Sequence, residues 1–233
     1  MIITIDGPTA SGKSTIAKEL AQRLGWNCLS SGFLFRALAY ILTHSFGYSP
    51  QQIEDIELAD IQEAFGNRFS YMLNNAGGVA KFDGKEITQF LKEAKLDQLA
   101  SIIAKNEDVR LAVAQLQRLL VRNENVVVEG RDCGSVVFPD ALGKFFLTAQ
   151  VEVRAHRWSK DQIARGNPVE IELVKRMIEE RDQRDSSRQI APLVVPEGAY
   201  IIDSSQSTPN EIVAQMNDVV QVLIKKAPHK NEY

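Results

Sequence analysis

Eight residues near the start of the chain, Gly7-Pro8-Thr9-Ala10-Ser11-Gly12-Lys13-Ser14, match the pattern G-x-x-x-x-G-K-[ST] and leave few folds open. A loop of this kind works only when a buried strand delivers it and a helix leaves it. The flanks fit both demands. Ile2-Ile3-Thr4-Ile5 reads as a short buried strand, and from Thr15 onward Ile16, Leu20 and Leu24 share one helical face, with Ala17 and Ala21 beside them. The loop must turn its backbone N–H groups inward around a polyphosphate, and Gly7 and Gly12 allow angles and close approach that a β-carbon obstructs. The helix N-terminus behind adds unpaired N–H groups and a partial positive charge. Lys13 is then expected to reach the outer phosphates and the Ser14 hydroxyl to ligate Mg²⁺. A glycine-containing turn with a solvated lysine is the alternative, and a full match in this context disfavours it.

The 233 residues suffice for one large domain or a domain with an insert, and 44% hydrophobic with 24% charged residues is ordinary globular material. A net charge of −3 and a pI near 5.7 argue against a general nucleic-acid or anionic-membrane surface. Cys28 and Cys133 stand far apart, so neither a disulfide framework nor a zinc spacing is present. His44, His156 and His229 are isolated, which suits surface or packed histidines better than metal ligands. No apolar run reaches membrane-spanning length and the first strand begins at once, so a cytoplasmic protein without a signal peptide is expected. A monomer is expected as well.

Strand and helix patterns alternate, which predicts an α/β fold: a parallel sheet of the P-loop NTPase type flanked by helices. Asn27-Cys28-Leu29, Val126-Val127-Val128, Lys144 to Thr148 and Tyr200-Ile201-Ile202 supply further strands; helices are predicted over 32–46, 93–104, 108–121, 151–165, 168–184 and 209–225. One segment differs. Phe69, Tyr71 and Leu73 alternate with polar neighbours, and the Asn74-to-Gly78 and Asp83-Gly84 turns interrupt the run, which predicts an antiparallel insert over roughly 65–92. The core then comprises 1–64 and 93–225, with a helical lid at about 151–190 and a solvated tail at 226–233.

A triphosphate site does not name the acceptor, but arginine placement is informative. Ser31 and Arg36 follow the predicted second strand, at the sheet end where α/β folds bind ligands. They are either a helix cap with a solvated arginine or two donors to an oxyanion. Glu129-Gly130-Arg131-Asp132 follows Val128. Arg131 offers a fork for phosphate or an internal partner for an acid, and Glu129 is placed to hold Mg²⁺ through water. The run Glu179 to Arg188 is either a solvated helix laced with ion pairs or a lid whose arginines close over phosphates, with Arg154 and Arg157 joining from the preceding helix. A kinase acting on a hydroxyl needs help removing a proton. A phosphate monoester, with its second pKa about 6, is already ionised; its difficulty is repulsion between two anions. Many arginines and no dedicated base suit a nucleoside monophosphate.

At this point the chain resembles the bacterial cytidylate kinases over nearly its whole length. The resemblance rests on Gly7 to Thr15, Ser31-Gly32 with Arg36, the insert, and Gly130-Arg131-Asp132-Cys133-Gly134-Ser135-Val136-Val137-Phe138-Pro139-Asp140-Ala141. It continues in Arg154-Ala155-His156-Arg157, Arg181-Asp182, Arg184-Asp185, Arg188, Ala191-Pro192-Leu193 and Ile202-Asp203-Ser204-Ser205. The P-loop is shared by many families; the long Gly130 block together with the insert is far more specific. The resemblance implies phosphoryl transfer from ATP, with Mg²⁺, to CMP or dCMP. It implies that Gly7, Pro8, Thr9, Ala10, Ser11, Gly12, Lys13, Ser14 and Thr15 bind ATP, and that Lys13, Arg131, Arg157 and Arg188 act on the transferring phosphoryl group. By the same resemblance Ser31, Arg36, Arg131 and Arg188 hold the acceptor phosphate, Ser101, Arg110 and Asp132 read cytosine, and Arg181 and Asp185 contact the sugar. Asp132 is chemically apt, because cytosine N4 donates where uracil accepts. Three positions depart from the pattern: Ser30 where Asp is frequent, Lys92 where Arg is common, and Trp158 in place of a second lid arginine.

Two other classes compete. A P-loop kinase for a hydroxyl acceptor needs a catalytic acid near Lys13, and Ser30 stands where such a family wants Asp. A nucleotide-binding switch protein needs a base-reading motif of the Asn-Lys-x-Asp kind, which the sequence lacks.

Overall fold

Strands buried on both faces need helices on both sides, and Ile3, Ile5, Val126, Val127 and Val128 have no exposed surface. The computed structural model describes residues 1–164 and 166–227. Its strands are β1 (Ile2–Asp6), β2 (Asn27–Ser30), β3 (Phe69–Met72), β4 (Val79–Phe82), β5 (Lys85–Glu86), β6 (Val126–Gly130), β7 (Gly143–Thr148) and β8 (Tyr200–Asp203). Its α-helices are α1 (Lys13–Leu24), α2 (Ser31–Tyr40), α3 (Leu58–Ala64), α4 (Ala94–Ile103), α5 (Glu107–Leu120), α6 (Val151–Ala164), α7 (Ile171–Ser187) and α8 (Pro209–Lys226).

The central sheet is parallel throughout, in the order β2-β6-β1-β7-β8. Its register sets up everything that follows. Asp6 pairs with Gly130 and Ser30 with Glu129, so the carboxyl ends of β1, β2 and β6 finish level. The loops after them leave side by side into the crevice beyond the sheet. One core under this sheet contains Ile16, Leu20, Phe145 and Met216; the other, around Leu34, Leu38 and Val113, carries α2, α4 and α5.

The expected antiparallel insert is a three-stranded sheet in the order β3-β4-β5. It is tied to β2 where the Cys28 N–H donates to the Asn74 carbonyl at 2.9 Å. The Tyr71 ring meets Phe33 of α2 edge-on at 5.7 Å. This contact explains Gly78, whose φ of +86° and whose missing β-carbon leave room for the Tyr71 ring.

Several boundaries differ from the sequence reading. α3 was not foreseen; Glu57 and Asp60 cap its start reciprocally, and Ile61 and Ala64 bury against the rest of the core. α2 continues into a π-helical turn at Ile41–Ser45. The helix expected over 168–184 is displaced: Glu170 is still extended, and α7 runs Ile171–Ser187. The Ser186 and Ser187 hydroxyls donate back to the Asp182 and Gln183 carbonyls in the last turn. Lys226, placed in the tail by sequence, belongs to α8, whose Thr208/Glu211 capping box and Pro209 start it firmly. Ala227 caps that helix, and 228–233 of the expected tail, His229 among them, lies outside the described residues, as does Arg165.

Candidate active site

Gly7 carries the P-loop through a point where no side chain fits. Its φ is +151°, and a β-carbon there would lie 2.0 Å from the Leu147 carbonyl oxygen. Gly12, at φ +97°, turns the chain into α1. Gly130 is needed for a reason other than a positive φ. It is the last residue of β6 and has no left-handed conformation; what it permits is close approach, because a β-carbon would meet Cys133 Sγ at 2.5 Å and Ser31 Cβ at 3.0 Å.

One cavity of about 600 Å³ opens beyond the sheet ends. It is lined by every residue the sequence nominated for catalysis, ATP or CMP, apart from Gly7 and Pro8. At its centre Lys13, 5% exposed, folds back so that Nζ donates to the Pro8 carbonyl at 2.6 Å and to Ser11 Oγ at 3.3 Å. The Ser14 hydroxyl donates to Glu129 Oε1 at 2.9 Å, and Ser30 donates to the same oxygen at 2.5 Å. Ser30, the position that departs from the family pattern, thus orients the carboxylate that Ser14 faces. Ser31, rather than capping α2, is its buried first residue, and Ser30 is the N-cap.

Arginines form the other half. Arg131 Nε donates to Asp185 Oδ2 at 2.9 Å, and its Nη2 donates to Thr9 Oγ1 at 3.1 Å. Arg110 pairs with Asp132 Oδ2, both almost wholly buried. Arg188 stands 3.5 Å from Asp185 and 4.0 Å from Asp132 Oδ1, which leaves that oxygen short of a hydrogen bond. Arg36 reaches Asp97 at 3.0 Å. On the opposite side Arg157 donates to Ser204 Oγ at 2.8 Å and to the Ser204 carbonyl at 2.6 Å. In the run Glu179 to Arg188, Arg184 is exposed, whereas Asp185 is buried and Arg181 and Arg188 line the cavity.

Seven cationic side chains and five carboxylates line the cavity, and the cations keep spare donors. Arg36 Nε, Arg110 Nε, Arg181 Nε, Arg188 Nη2 and Ser101 Oγ are buried and make no hydrogen bond. Buried donors left open are costly unless a ligand takes them. The electrostatics agree. Burial, then the charge of Arg131, pulls Lys13 down to about 7. Burial, then Arg110, lowers Arg188 to about 10. Asp185 goes the other way: burial opposes its charge, but Arg131, Arg181 and Arg188 outweigh it and hold the carboxyl below its usual range.

The lysine has a measurable consequence. An anion in the loop favours the charged amine, so binding raises the depressed pKa again. At pH 8 the free protein holds Lys13 mostly neutral and the complex holds it charged. ATP binding is therefore expected to take up close to one proton at pH 8 and far less at pH 6. Calorimetry in buffers of differing ionisation enthalpy reads this directly. Lys13→Arg, whose guanidinium stays charged, should bind without the uptake; equal uptake in both proteins would rule Lys13 out as its source.

The Mg²⁺ ligands expected from sequence can be tested on the donor set. Ser14 Oγ and the Glu129 carboxylate meet within hydrogen-bond reach and supply hard oxygen donors. Mg²⁺ keeps most of its waters and needs only one or two carboxylates plus substrate phosphates, so the pair fits. Among the described residues no group of three or more His, Cys, Asp or Glu side chains gathers in a way that could hold a metal. No described helix is long and apolar enough to cross a membrane. His44 is stacked on Tyr40 at 4.3 Å, and His156 is exposed.

Sequence reasoning missed two groups that shape the site. Asp97 pairs with Arg36, and Asp6 accepts from the Cys133 and Gly134 N–H groups at 2.9 and 2.7 Å, anchoring the turn after Asp132. Burial raises the Asp6 carboxyl to about 6. Asp182 and Arg154 pair with each other and reach Thr9. Asp182 was legible as part of Arg181-Asp182, but no local pattern points to a partner so far away in sequence. Trp158 lines the cavity while packing against Ala155, Val174 and Ile178; Lys92 lies in a 3-10 turn away from the lining.

The chain is similar to known proteins. A family model described as cytidylate kinase matches residues 3–222. A cytidylate kinase from Thermodesulfovibrio yellowstonii is 36% identical over 225 residues, covering 97% of this chain and 96% of that one. One from Thermotoga sp. (strain RQ2) is 39% identical over 219 residues, covering 94% and 96%. Among solved structures a shikimate kinase from Acinetobacter baumannii, in complex with shikimate, has a TM-score of 0.47 at 14% identity over 97% of this chain and 95% of that one, too distant to speak for the acceptor.

Proposed function

The chain belongs to the cytidylate kinase family and is a CMP/dCMP kinase, and we propose that the cavity beyond β1, β2 and β6 is where the γ-phosphoryl group of ATP passes to CMP or dCMP, giving ADP and CDP or dCDP. The observation that carries this assignment is the set of open donors: Arg36, Ser101, Arg110, Arg181 and Arg188 each bury a polar atom without a partner along one wall. They suit a ligand that is an anion at one end and a polar base at the other.

The P-loop side receives the donor. Backbone N–H groups between Thr9 and Thr15 surround its phosphates, and Lys13 leaves the Pro8 carbonyl to follow the transferring group. Ser14 and, through water, Glu129 would hold Mg²⁺. When bound, the metal would offset charge on the phosphate oxygens. On the acceptor side Ser31, Arg36, Arg131 and Arg188 hold the phosphate of CMP, Arg181 and Asp185 meet the sugar, and Ser101, Arg110 and Asp132 read the base. Arg110 fixes Asp132 through Oδ2, leaving Oδ1 to accept from cytosine N4. No base is required, because the acceptor phosphate arrives ionised. The work of the residues is to bring two anions together: Arg131 and Arg188 stand on the acceptor side, Arg157 on the donor side, and closing α6 and α7 over both excludes water.

A coupled assay with ATP-Mg²⁺ and a panel of CMP, dCMP, UMP, AMP, shikimate and no acceptor tests the assignment. Turnover is expected with CMP and dCMP, at least about tenfold above UMP in kcat/KM. Turnover confined to shikimate, or ATP consumption indifferent to the acceptor, would overturn it.

A further inference from the structure

Thr9 sits at the tip of the P-loop, 7% exposed, and all three of its polar groups are engaged from outside the loop. Its N–H donates to Asp182 Oδ1 at 2.9 Å. Its carbonyl accepts from Arg154 Nη1 at 3.0 Å. Its hydroxyl oxygen accepts from Arg131 Nη2 at 3.1 Å. Arg154 and Asp182 are paired across α6 and α7. Asp182 shares α7 with Arg181 and Asp185, and Asp185 holds the Nε of Arg131. A closed ring of contacts therefore runs from the donor loop through Arg131 and Asp185 into α7, and back through Asp182 to the donor loop.

Arg131 belongs to both halves of the site. With its Nε on Asp185, its Nη2 on Thr9 and its Nη1 on the Gly130 carbonyl at 3.3 Å, each of its three nitrogens already donates one hydrogen bond within the protein, and one N–H on each of Nη1 and Nη2 is left over. An acceptor phosphate that takes the two remaining N–H groups pulls the guanidinium toward itself, and the contact that yields first is the weakest one that holds it. The bond to Thr9 is the neutral one of the two side-chain contacts and the weaker. Two arrangements follow, one with Arg131 on Thr9 and one with Arg131 on the acceptor, and they differ in how the donor loop is held.

Resting on the proposed function, we propose that Thr9 is a positioning residue that couples the two substrate sites: acceptor binding releases its hydroxyl from Arg131 and so changes the affinity of the P-loop for the donor nucleotide. Coupling of this kind is reciprocal, so the donor changes acceptor affinity by the same factor. The release frees the loop tip to adjust around phosphates, and the expected sign is positive.

The experiment is calorimetric titration of ADP with Mg²⁺, with and without saturating CMP, a pair that gives no turnover. The native protein should bind ADP at least about fivefold more tightly when CMP is present. Thr9→Val, which removes the hydroxyl but keeps the backbone contacts, should bring that ratio to about one, and Thr9→Ser should restore it. Thr9→Ala serves if the valine variant does not fold. A purely structural role would weaken ADP binding equally with and without CMP and leave the ratio native; that result, or a native ratio of one, overturns the coupling. Failure of the native protein to bind CMP at all overturns the functional reading with it and is distinguished by the CMP titration alone.

Discussion

Lys13→Ala is expected to lower kcat by about 10³-fold or more, the scale of losing a charged group aimed at the developing transition state. The same substitution should leave the free protein folded, with a thermal midpoint at pH 7 no lower than that of the native protein. Both halves follow from where the amine sits. Burial, then Arg131, holds Lys13 at about 7 against its usual 10.5. Between those values the unfolded chain binds the proton and the folded one does not, so on this group's account stability rises with pH across that window. At pH 7 and below, the folded protein carries a charge it disfavours, and that cost is offset only when phosphates arrive. Removing the lysine removes both the cost and the slope. A coupled assay with melts at pH 7 and 9 decides. Near-native turnover would contradict the role of the loop, and a midpoint falling by many degrees would contradict the electrostatics.

Asp132→Asn should relax the choice between CMP and UMP by about tenfold or more in the ratio of kcat/KM. A carboxylate can only accept, which suits the N4 amino group of cytosine and repels O4 of uracil. An amide presents either an acceptor or a donor by turning over, so it can serve both bases. Sites built on such bonds discriminate strongly because the wrong partner leaves a buried group unpaired. Asparagine is the sharper test than alanine. Arg110 is paired with Asp132 in an almost fully buried contact, with Arg188 nearby, and deleting the carboxylate altogether would cost about 3–5 kcal/mol by stranding charge. Kinetics with both acceptors, alongside the KM for ATP, provide the readout. An unchanged CMP preference, or a loss shared equally by ATP, would remove Asp132 from base recognition.

How far the chain could be read before its structure varied with the range of the interaction. The P-loop, the flanking strand and α1 are specified by neighbouring residues: apolar period, glycine placement and the lysine that follows. β3, β4 and β5 were visible because alternation and Asn-Gly or Asp-Gly turns sit within one short stretch. α3 escaped because its seven residues are too few for a clear period and its cap is a Glu57/Asp60 pair in place of the usual serine or threonine. The start of α7 was misplaced because Val169, Glu170, Ile171 and Glu172 alternate apolar and acidic across the true boundary, and Glu170, the N-cap, makes no side-chain cap bond that would mark it. Among site residues, Ser31, Arg36, Arg131 and Asp132 announced themselves by following strand ends. Arg188 stood out only as the end of a charged run, and Ser101 and Arg110 entered only through the family resemblance, since nothing around them marks them out.

By itself the sequence determined that a polyphosphate loop stands between a buried strand and a helix, that the sheet is parallel with a small antiparallel insert, and that arginines gather at strand ends. Those features are local, set by periodicity and by what each backbone position can adopt. Only the tertiary structure decided which charges meet. The level ends of β1, β2 and β6 bring Ser14 and Ser30 onto one oxygen of Glu129 and place Gly130 where only a glycine fits. The packing of α6 and α7 closes Arg154, Asp182 and Arg131 on Thr9 across more than a hundred residues of chain. A charge in the sequence carries no record of its partner; that is settled when burial makes an unpaired charge too costly to keep.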